Sequence, residues 1–107
     1  MKNFQNREGK NIKNYQTLNN ALIPESINLA VLINGGSASA SEVLAGSLHD
    51  QCVAVVMGSS NSFGKGLIQA VYGLKNGSGL VLTVAKYMTP NGTDIQGHGI
   101  TPDIEAK

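Results

Sequence analysis

Residues 29–48 read LAVLINGGSASASEVLAGSL. The apolar run at 29–33 leads through Gly35 and Gly36 into three alternating serines, and a helical pattern follows them. A strand that turns sharply through glycines into a helix presents a small side chain at a helix N-terminus. The sequence therefore predicts a strand–turn–helix unit, and the middle serine, Ser39, is its candidate for chemistry.

A second strand follows this unit. We expect the helix to run from about Ser39 to Asp50, and the apolar run at 53–57 comes a few residues later. Strand, helix and strand at this spacing predict a βαβ unit with parallel strands, and hence an α/β fold class. The unbroken apolar first strand favours a central position covered on both faces. We expect the helix to bury an apolar face formed by Ala40, Val43, Leu44 and Leu48.

The later part of the chain predicts a β-hairpin. The runs at 67–72 and 80–87 are rich in β-branched residues, and an Asn76-Gly77 turn lies between them. Glycines and prolines from Thr89 onward predict a looped, extended tail.

The chain also divides into two parts by composition. Residues 1–27 are polar, and we expect irregular structure there with a short helical turn near 16–22. Residues 28–107 carry all the strand and helix patterns described above, so we expect this part to form the folded unit.

The overall composition excludes several function classes. The 107 residues carry a net charge of +1 and 5% aromatic residues, which argues against nucleic-acid binding. No apolar run approaches the roughly 20 residues that span a bilayer, so we expect no direct membrane segment. The single cysteine, Cys52, cannot form an internal disulfide and reports nothing about the compartment.

Two functions are open to Ser39. Together with Glu42 it fits the capping-box pattern, in which both side chains satisfy the first backbone donors of the helix. A serine in this place also faces the positive end of the helix dipole and unpaired N–H groups, which stabilise an alkoxide or an oxyanion. A cap and a nucleophile need the same location, so a partner base has to decide between them.

Three residues could serve as that base. His49 lies near the far end of the same helix, about 15 Å from Ser39 at 1.5 Å per residue, and is better placed to interact with the helix dipole. His98 lies in a glycine-rich tail segment and is a weaker candidate than Lys65. Lys65 follows the second strand as Ser39 follows the first, and ligands bind at this shared edge of a parallel sheet. A lysine acts as a base only where desolvation lowers its pKa from about 10.4 toward 7–8.

Phosphate binding and metal binding are less favoured alternatives. The segment 58–66 resembles a P-loop, but five residues separate its glycines, and Gly66 replaces the magnesium-binding Ser or Thr. His49, Asp50 and Cys52 lack the accompanying ligands of a closed zinc site. We therefore expect no cofactor and no metal.

Several linked motifs resemble one known family, the carboxyl-terminal processing peptidases, which are tail-specific serine proteases of the S41 family. The motifs are NGGSASASE at 34–42, FGKGLIQ at 63–69, GSGL at 77–80, AKYMTPNG at 85–92 and GITPD at 99–103. In order, they cover about residues 28–104. Their details lean toward the plant and algal D1-processing branch. The resemblance implies a ClpP/crotonase-like protease core, of which this chain is the C-terminal part.

The resemblance also assigns roles to residues. It implies that Ser39 is the nucleophile and Lys65 the general base of a Ser-Lys dyad, acting through an acyl-enzyme intermediate on proteins with an exposed C-terminus. Gln69 is expected to orient the lysine, and the N–H of Ala40 to supply one oxyanion donor. Asp50 matches an acidic position with a supporting role.

Parts of the family pattern have no counterpart in the 107 residues. These parts are the peptide-binding PDZ domain, the first part of the protease domain, and an upstream Asn-Pro-Gly-Gly segment with a second oxyanion donor. The loop between Gly58 and Lys65 is also one residue longer than usual. Activity of the chain alone therefore stays open, and the alternative is a non-catalytic relative acting as a fold remnant or binding module. By resemblance, the compartment is the thylakoid lumen of a plastid, or the periplasm or cell envelope of a bacterium.

Overall fold

The computed structural model describes residues 16–18, 20, 22–24 and 26–106. Its elements are β1 (Leu29–Ile33), α1 (Ala40–Asp50), β2 (Ala54–Gly58), β3 (Leu67–Gly73), β4 (Gly79–Lys86) and β5 (Ile104–Glu105). Within this part of the chain, no helix has the length and apolar character that a membrane span requires. Most of the predicted N-terminal segment lies outside the described residues, and those of 16–22 that are described are not helical.

The strands form two sheets. β1 pairs in parallel with β2, and β2 pairs in parallel with β5, so the order in the first sheet is β1-β2-β5. β3 and β4 form a separate antiparallel hairpin. The predicted βαβ unit and hairpin are both confirmed. β5 was not predicted, because a two-residue strand after a proline is too short to carry a periodic signal.

The prediction that β1 is a central strand covered on both faces was wrong for the described residues. β1 lies at the edge of the three-stranded sheet, and its side chains alternate between the core and open surface. Ile33 is buried on one face, whereas the side chain of Leu32 on the other face is 77% exposed. The apolar run predicted burial on both sides, but the described elements cover only one face of this sheet.

The predicted buried face of α1 was also wrong. The helix buries Glu42, Ala45, Gly46 and Ser47, while Leu44 is half exposed. Small residues face inward because the tail passes very close to the helix. A Cβ added at Gly46 would lie 2.9 Å from Cγ2 of Thr89. A hydrophobic pattern identifies helix faces that carry large apolar side chains. It therefore does not identify a helix face of small residues, against which another segment packs closely.

The core connects the sheet, the helix and the tail. It consists of Ile33, Ala45, Val56, Ile95 and Ile100, with Val31 and Tyr87 packed against it. Ile95 and Val56 are fully buried. The predicted looped tail is therefore part of the folded unit, because Ile95 and Ile100 complete the core beside α1.

Candidate functional site

Ser39 lies at the turn between β1 and α1, as the sequence predicted. It is the N-cap of α1, and its backbone has φ 55° and ψ −113°. A non-glycine residue rarely adopts such a conformation, and strain of this kind is concentrated at functional sites. The backbone therefore holds Ser39 at the helix N-terminus in a sharp turn, with its side chain half-buried.

Glu42 connects this turn to the loop that carries Lys65. Its side chain is fully buried, and Oε2 accepts hydrogen bonds from the N–H of Ser39 at 2.8 Å and of Lys65 at 2.9 Å. Oε1 accepts from the hydroxyl of Ser62 at 2.6 Å and from the N–H of Gly64 at 2.5 Å. One carboxylate thus receives four donors, which offsets the cost of burying its charge.

The backbone of Lys65 is fixed on both sides. Beyond the bonds to Glu42, the carbonyl of Gly64 accepts from the N–H of Gly97 at 2.9 Å, and the carbonyl of Gly66 accepts from the N–H of Tyr87 at 2.7 Å. The side chain of Lys65 itself is exposed. Among the described residues, no hydrogen bond joins its Nζ to Oγ of Ser39. The structure therefore brings the two backbones to one carboxylate and leaves the side chain of Lys65 exposed.

The first turn of α1 contains several backbone N–H donors that have no acceptor inside the helix, and the N–H of Ala40 is one of them. The N–H groups of Ser39, Ser41 and Val43 donate to Oε2 of Glu42, to Ala38 O and to Ser39 O, respectively. Ala40 is the first residue of α1, so its N–H has no acceptor within the helix. This N–H follows directly after Ser39, where an oxyanion donor is expected.

Gln69 lies on β3, four residues after Lys65, and its side chain is exposed. The pairing of β3 with β4 is irregular between Ile68 and Gln69, and such bulges re-aim side chains. Within the described residues, the Gln69 side chain makes no hydrogen bond to Lys65. The structure therefore places Gln69 on the strand that follows the Lys65 loop.

Asp50 and His49 lie at the other end of α1, away from Ser39. Nδ1 of His49 is 2.9 Å from Asp50 Oδ1, and Nε2 is 2.8 Å from Asp103 Oδ1. Hydrogen bonds to Asp50 and Asp103 raise the pKa of His49 above its ordinary value of 6.5. The hydrogen bonds of His49 to Asp50 and Asp103 connect the end of α1 to the segment before β5.

Both carboxyl groups of this cluster have lowered pKa values. Burial alone would raise the pKa of Asp50, but hydrogen bonds from the Thr89 side chain, His49 and the Asn91 N–H hold it below 3.8. The N–H of Val56 and then His49 lower the pKa of Asp103. Through its hydrogen bonds, Asp50 attaches the C-terminal end of α1 to Thr89 and Asn91 of the tail.

The competing interpretations of the sequence do not fit the structure equally well. The segment 58–66 leads into β3, whereas a P-loop wraps a helix N-terminus, so the phosphate-binding alternative fails. His98 lies in the tail, where its backbone carbonyl accepts from Asn61. Sequence reasoning missed Ser62 and Gln96, whose side chains hold the Lys65 loop, and it treated Glu42 only as a helix cap.

Comparisons with known proteins give the family. The family model for peptidase family S41 matches residues 1–106. The chain is 56% identical over 76 residues to the carboxyl-terminal-processing peptidase 1, chloroplastic, of Arabidopsis thaliana, covering 71% of this chain and 15% of that protein. It is 44% identical over 98 residues to the C-terminal processing peptidase, chloroplastic, of Tetradesmus obliquus, covering 92% of this chain and 21% of that protein.

A solved structure gives the same answer. The photosystem II D1 C-terminal processing protease matches with a TM-score of 0.90 and 41% identity over 99% of this chain and 27% of that one. The chain thus spans only 15% and 21% of the lengths of the two curated relatives named above. The resemblance stated from the motifs is confirmed, and the mixed α/β unit is similar to the corresponding part of the D1 protease. The chain belongs to peptidase family S41.

Proposed function

We propose that this chain carries the nucleophile and the base of a serine-type endopeptidase that cleaves proteins near their C-termini. The observation that supports it most is the Glu42 carboxylate, which binds the backbones of Ser39 and Lys65 on one oxygen. A helix cap alone needs only the bond to Ser39. The additional bonds to Lys65, Gly64 and Ser62 attach the Lys65 loop to the first turn of α1, beside Ser39.

In the proposed reaction, Oγ of Ser39 attacks the carbonyl carbon of the scissile peptide. Nζ of Lys65, unprotonated because the bound substrate shields it from water, takes the hydroxyl proton as the Oγ–C bond forms, and the N–H of Ala40 stabilises the oxyanion. The C–N bond then breaks, and the lysine gives its proton to the leaving amine. Water, deprotonated by the same lysine, attacks the ester and releases Ser39 with its proton restored.

Two further residues have proposed supporting roles. Gln69, on the strand that leaves the Lys65 loop, orients the lysine side chain. Asp50 acts at a distance, because its bonds to His49, Thr89 and Asn91 fix the end of α1 rather than the reacting atoms. We place the whole unit in a ClpP/crotonase-like protease core.

The names of the relatives suggest the setting of the reaction. The substrate is a protein or peptide with an exposed C-terminus, and the D1 protein of photosystem II is the precedent in the structural relative. Relatives are chloroplastic or bacterial, so we propose the thylakoid lumen or the bacterial cell envelope as the compartment. A PDZ domain elsewhere in the whole protein would bind the substrate terminus.

A chimera tests the dyad. The aligned 98 residues of the Tetradesmus obliquus peptidase are replaced by those of this chain, so that the rest of the enzyme is present. Cleavage of a fluorogenic peptide with a free carboxyl terminus is then measured for the chimera, for Ser39→Ala and for Lys65→Ala. We expect each variant to lose at least about 1000-fold in kcat, because dyad members act as a unit.

Ser41→Ala is the matched control, since Ser41 is exposed and lies two residues after Ser39, in the first turn of α1. It should retain the activity of the parent chimera. Retained activity in Ser39→Ala or Lys65→Ala refutes the dyad. A folded chimera without any activity favours the fold remnant or binding module.

A further inference from the structure

We infer that Ser62 is a positioning residue for Lys65, acting through Glu42 and through the tail segment 95–100. This inference rests on the proposed function, because it concerns the placement of the proposed base. The tail segment lies against the Lys65 loop along its length, and Ser62 is the residue whose side chain joins that segment to the buried carboxylate.

The hydroxyl of Ser62 both donates and accepts a hydrogen bond. The residue is 6% exposed, and Oγ donates to Oε1 of Glu42 at 2.6 Å while accepting the N–H of Ile100 at 2.6 Å. The backbone N–H of Ser62 also donates to the carbonyl of Ile100 at 3.0 Å. A hydroxyl has a single hydrogen, so its donation to Glu42 and its acceptance from Ile100 fix its orientation.

The same tail segment holds the far side of Lys65. The N–H of Gly66 donates to Oε1 of Gln96 at 2.9 Å, and the N–H of Gly97 donates to the carbonyl of Gly64 at 2.9 Å. Lys65 therefore lies between two glycines that are both tied to the tail. Its position depends on the tail as well as on Glu42.

Glycines allow the two backbones to approach this closely. A Cβ at Gly99 would overlap the carbonyl oxygen of Ser62, and a Cβ at Gly66 would lie 2.5 Å from the backbone nitrogen of Gln96. No side chain can therefore separate the loop from the tail at these points. A displacement of the tail is passed directly to the backbone of Lys65.

Loss of the Ser62 hydroxyl leaves two buried groups short of a partner. The N–H of Ile100 loses its acceptor, and Oε1 of Glu42 keeps only the N–H of Gly64. The loop can then regain hydrogen bonds only by shifting. A misplacement of about 1 Å in a reacting group can cost about 100-fold in rate.

The test uses the chimera described above, with Ser62→Ala, Ser62→Thr and the control Ser59→Ala. Reactive sites are counted by end-point labelling of Ser39 with a fluorophosphonate and intact mass. We expect Ser62→Ala to lower kcat per labelled site by about 10- to 100-fold with KM changed less than threefold. Ser62→Thr keeps a hydroxyl and should recover most of that loss. Ser59 is exposed in the same loop, and its variant should match the parent.

Hydrogen–deuterium exchange of residues 62–67 gives a readout that needs no activity. Exchange there should accelerate in Ser62→Ala, while the last turns of α1 keep the parental rate. An unchanged kcat per labelled site, or unchanged exchange at 62–67, overturns the inference. Failure of the proposed function is seen separately, as activity that survives Ser39→Ala, and the exchange experiment still tests the hold of Ser62 in that case.

Discussion

The backbone N–H groups of Ser39 and Lys65 donate to the same atom, Oε2 of Glu42, at 2.8 and 2.9 Å. The two residues are 26 positions apart, on loops that follow different strands of one parallel sheet. A buried carboxylate acts here as a common anchor for both loops. Glu42 thereby helps to fix the spacing of the Ser39 and Lys65 backbones, together with the bond from the N–H of Phe63 to the carbonyl of Ser37 at 2.8 Å, and it needs no contact with substrate.

Glu42→Gln tests this anchor. An amide has a single acceptor oxygen and presents N–H donors where the second carboxylate oxygen stood, so at least two of the four bonds are lost or opposed. We expect the free energy of unfolding to fall by about 2–4 kcal/mol, since buried donors left without partners cost about 1–3 kcal/mol each. Urea denaturation of the chain measures it, and activity of the chimera should fall by more than 100-fold.

Glu105→Gln is the control for the loss of a charge. Glu105 lies on β5 and is exposed, so its variant should differ from the parent by no more than about 0.5 kcal/mol. A Glu42→Gln variant with parental stability and activity would mean that the anchor is dispensable.

Much of the fold could be predicted from the sequence because it depends on local signals. The glycine turn before Ser39, the unbroken apolar strands and the Asn76-Gly77 hairpin each specify their own backbone over a few residues. The position of Ser39 at the start of α1 followed from the same signals. The capping role of Glu42 was visible for the same reason.

The remainder of the site depends on contacts between distant parts of the chain. Glu42 was visible as a cap three residues from Ser39, but nothing local indicates that it also binds the loop at 62–65. Ser62 and Gln96 are ordinary polar residues until the tail folds back on that loop. Likewise, β1 looks central by composition, and only the described packing shows that Leu32 is uncovered.

Gly64→Ala tests the close packing of the Lys65 loop. Gly64 has φ +91°, and an added Cβ would lie 3.1 Å from the backbone nitrogen of His98. We expect about 2–3 kcal/mol of destabilisation in urea denaturation, from backbone strain and from displacement of the tail together. Activity of the chimera should fall at the same time, because the variant moves the backbone next to Lys65.

Gly77→Ala separates these two contributions. Gly77 has nearly the same φ, +88°, but a Cβ there meets nothing within 4 Å. Its cost should be about 1 kcal/mol, from the backbone alone, with activity unchanged. Equal effects of the two variants would show that the packing against the tail contributes nothing.

Ile95→Ala tests the role of the tail in the core. Ile95 is fully buried, so removing its side chain should lower the free energy of unfolding by about 2–5 kcal/mol. Leu32→Ala shortens a side chain on the surface, because Leu32 is 77% exposed. It should lower the free energy of unfolding by about 0.5 kcal/mol or less. Urea denaturation of both variants measures the difference. A large effect of Leu32→Ala would mean that the outer face of β1 is covered in solution.

His49→Gln tests the cluster at the end of α1 through its dependence on pH. The pKa of His49 is raised in the folded chain, so its contribution to stability is fully present below about pH 6.5 and is lost as pH rises through the folded pKa. The pKa values of Asp50 and Asp103 are lowered, so their contributions are present above about 3.8 and are lost as pH falls through the folded pKa values.

The three groups therefore stabilise the fold together at mildly acidic pH, between those two limits. His49→Gln should be less stable than the parent by up to about 1 kcal/mol in that window, a small effect because the histidine is 38% exposed and the pairs are screened. The difference should shrink above neutral pH. Urea denaturation between pH 4 and 8 measures it, and the same substitution in an Asp103→Asn background should have a smaller effect. A difference that is constant with pH, or independent of Asp103, would contradict this account of the cluster.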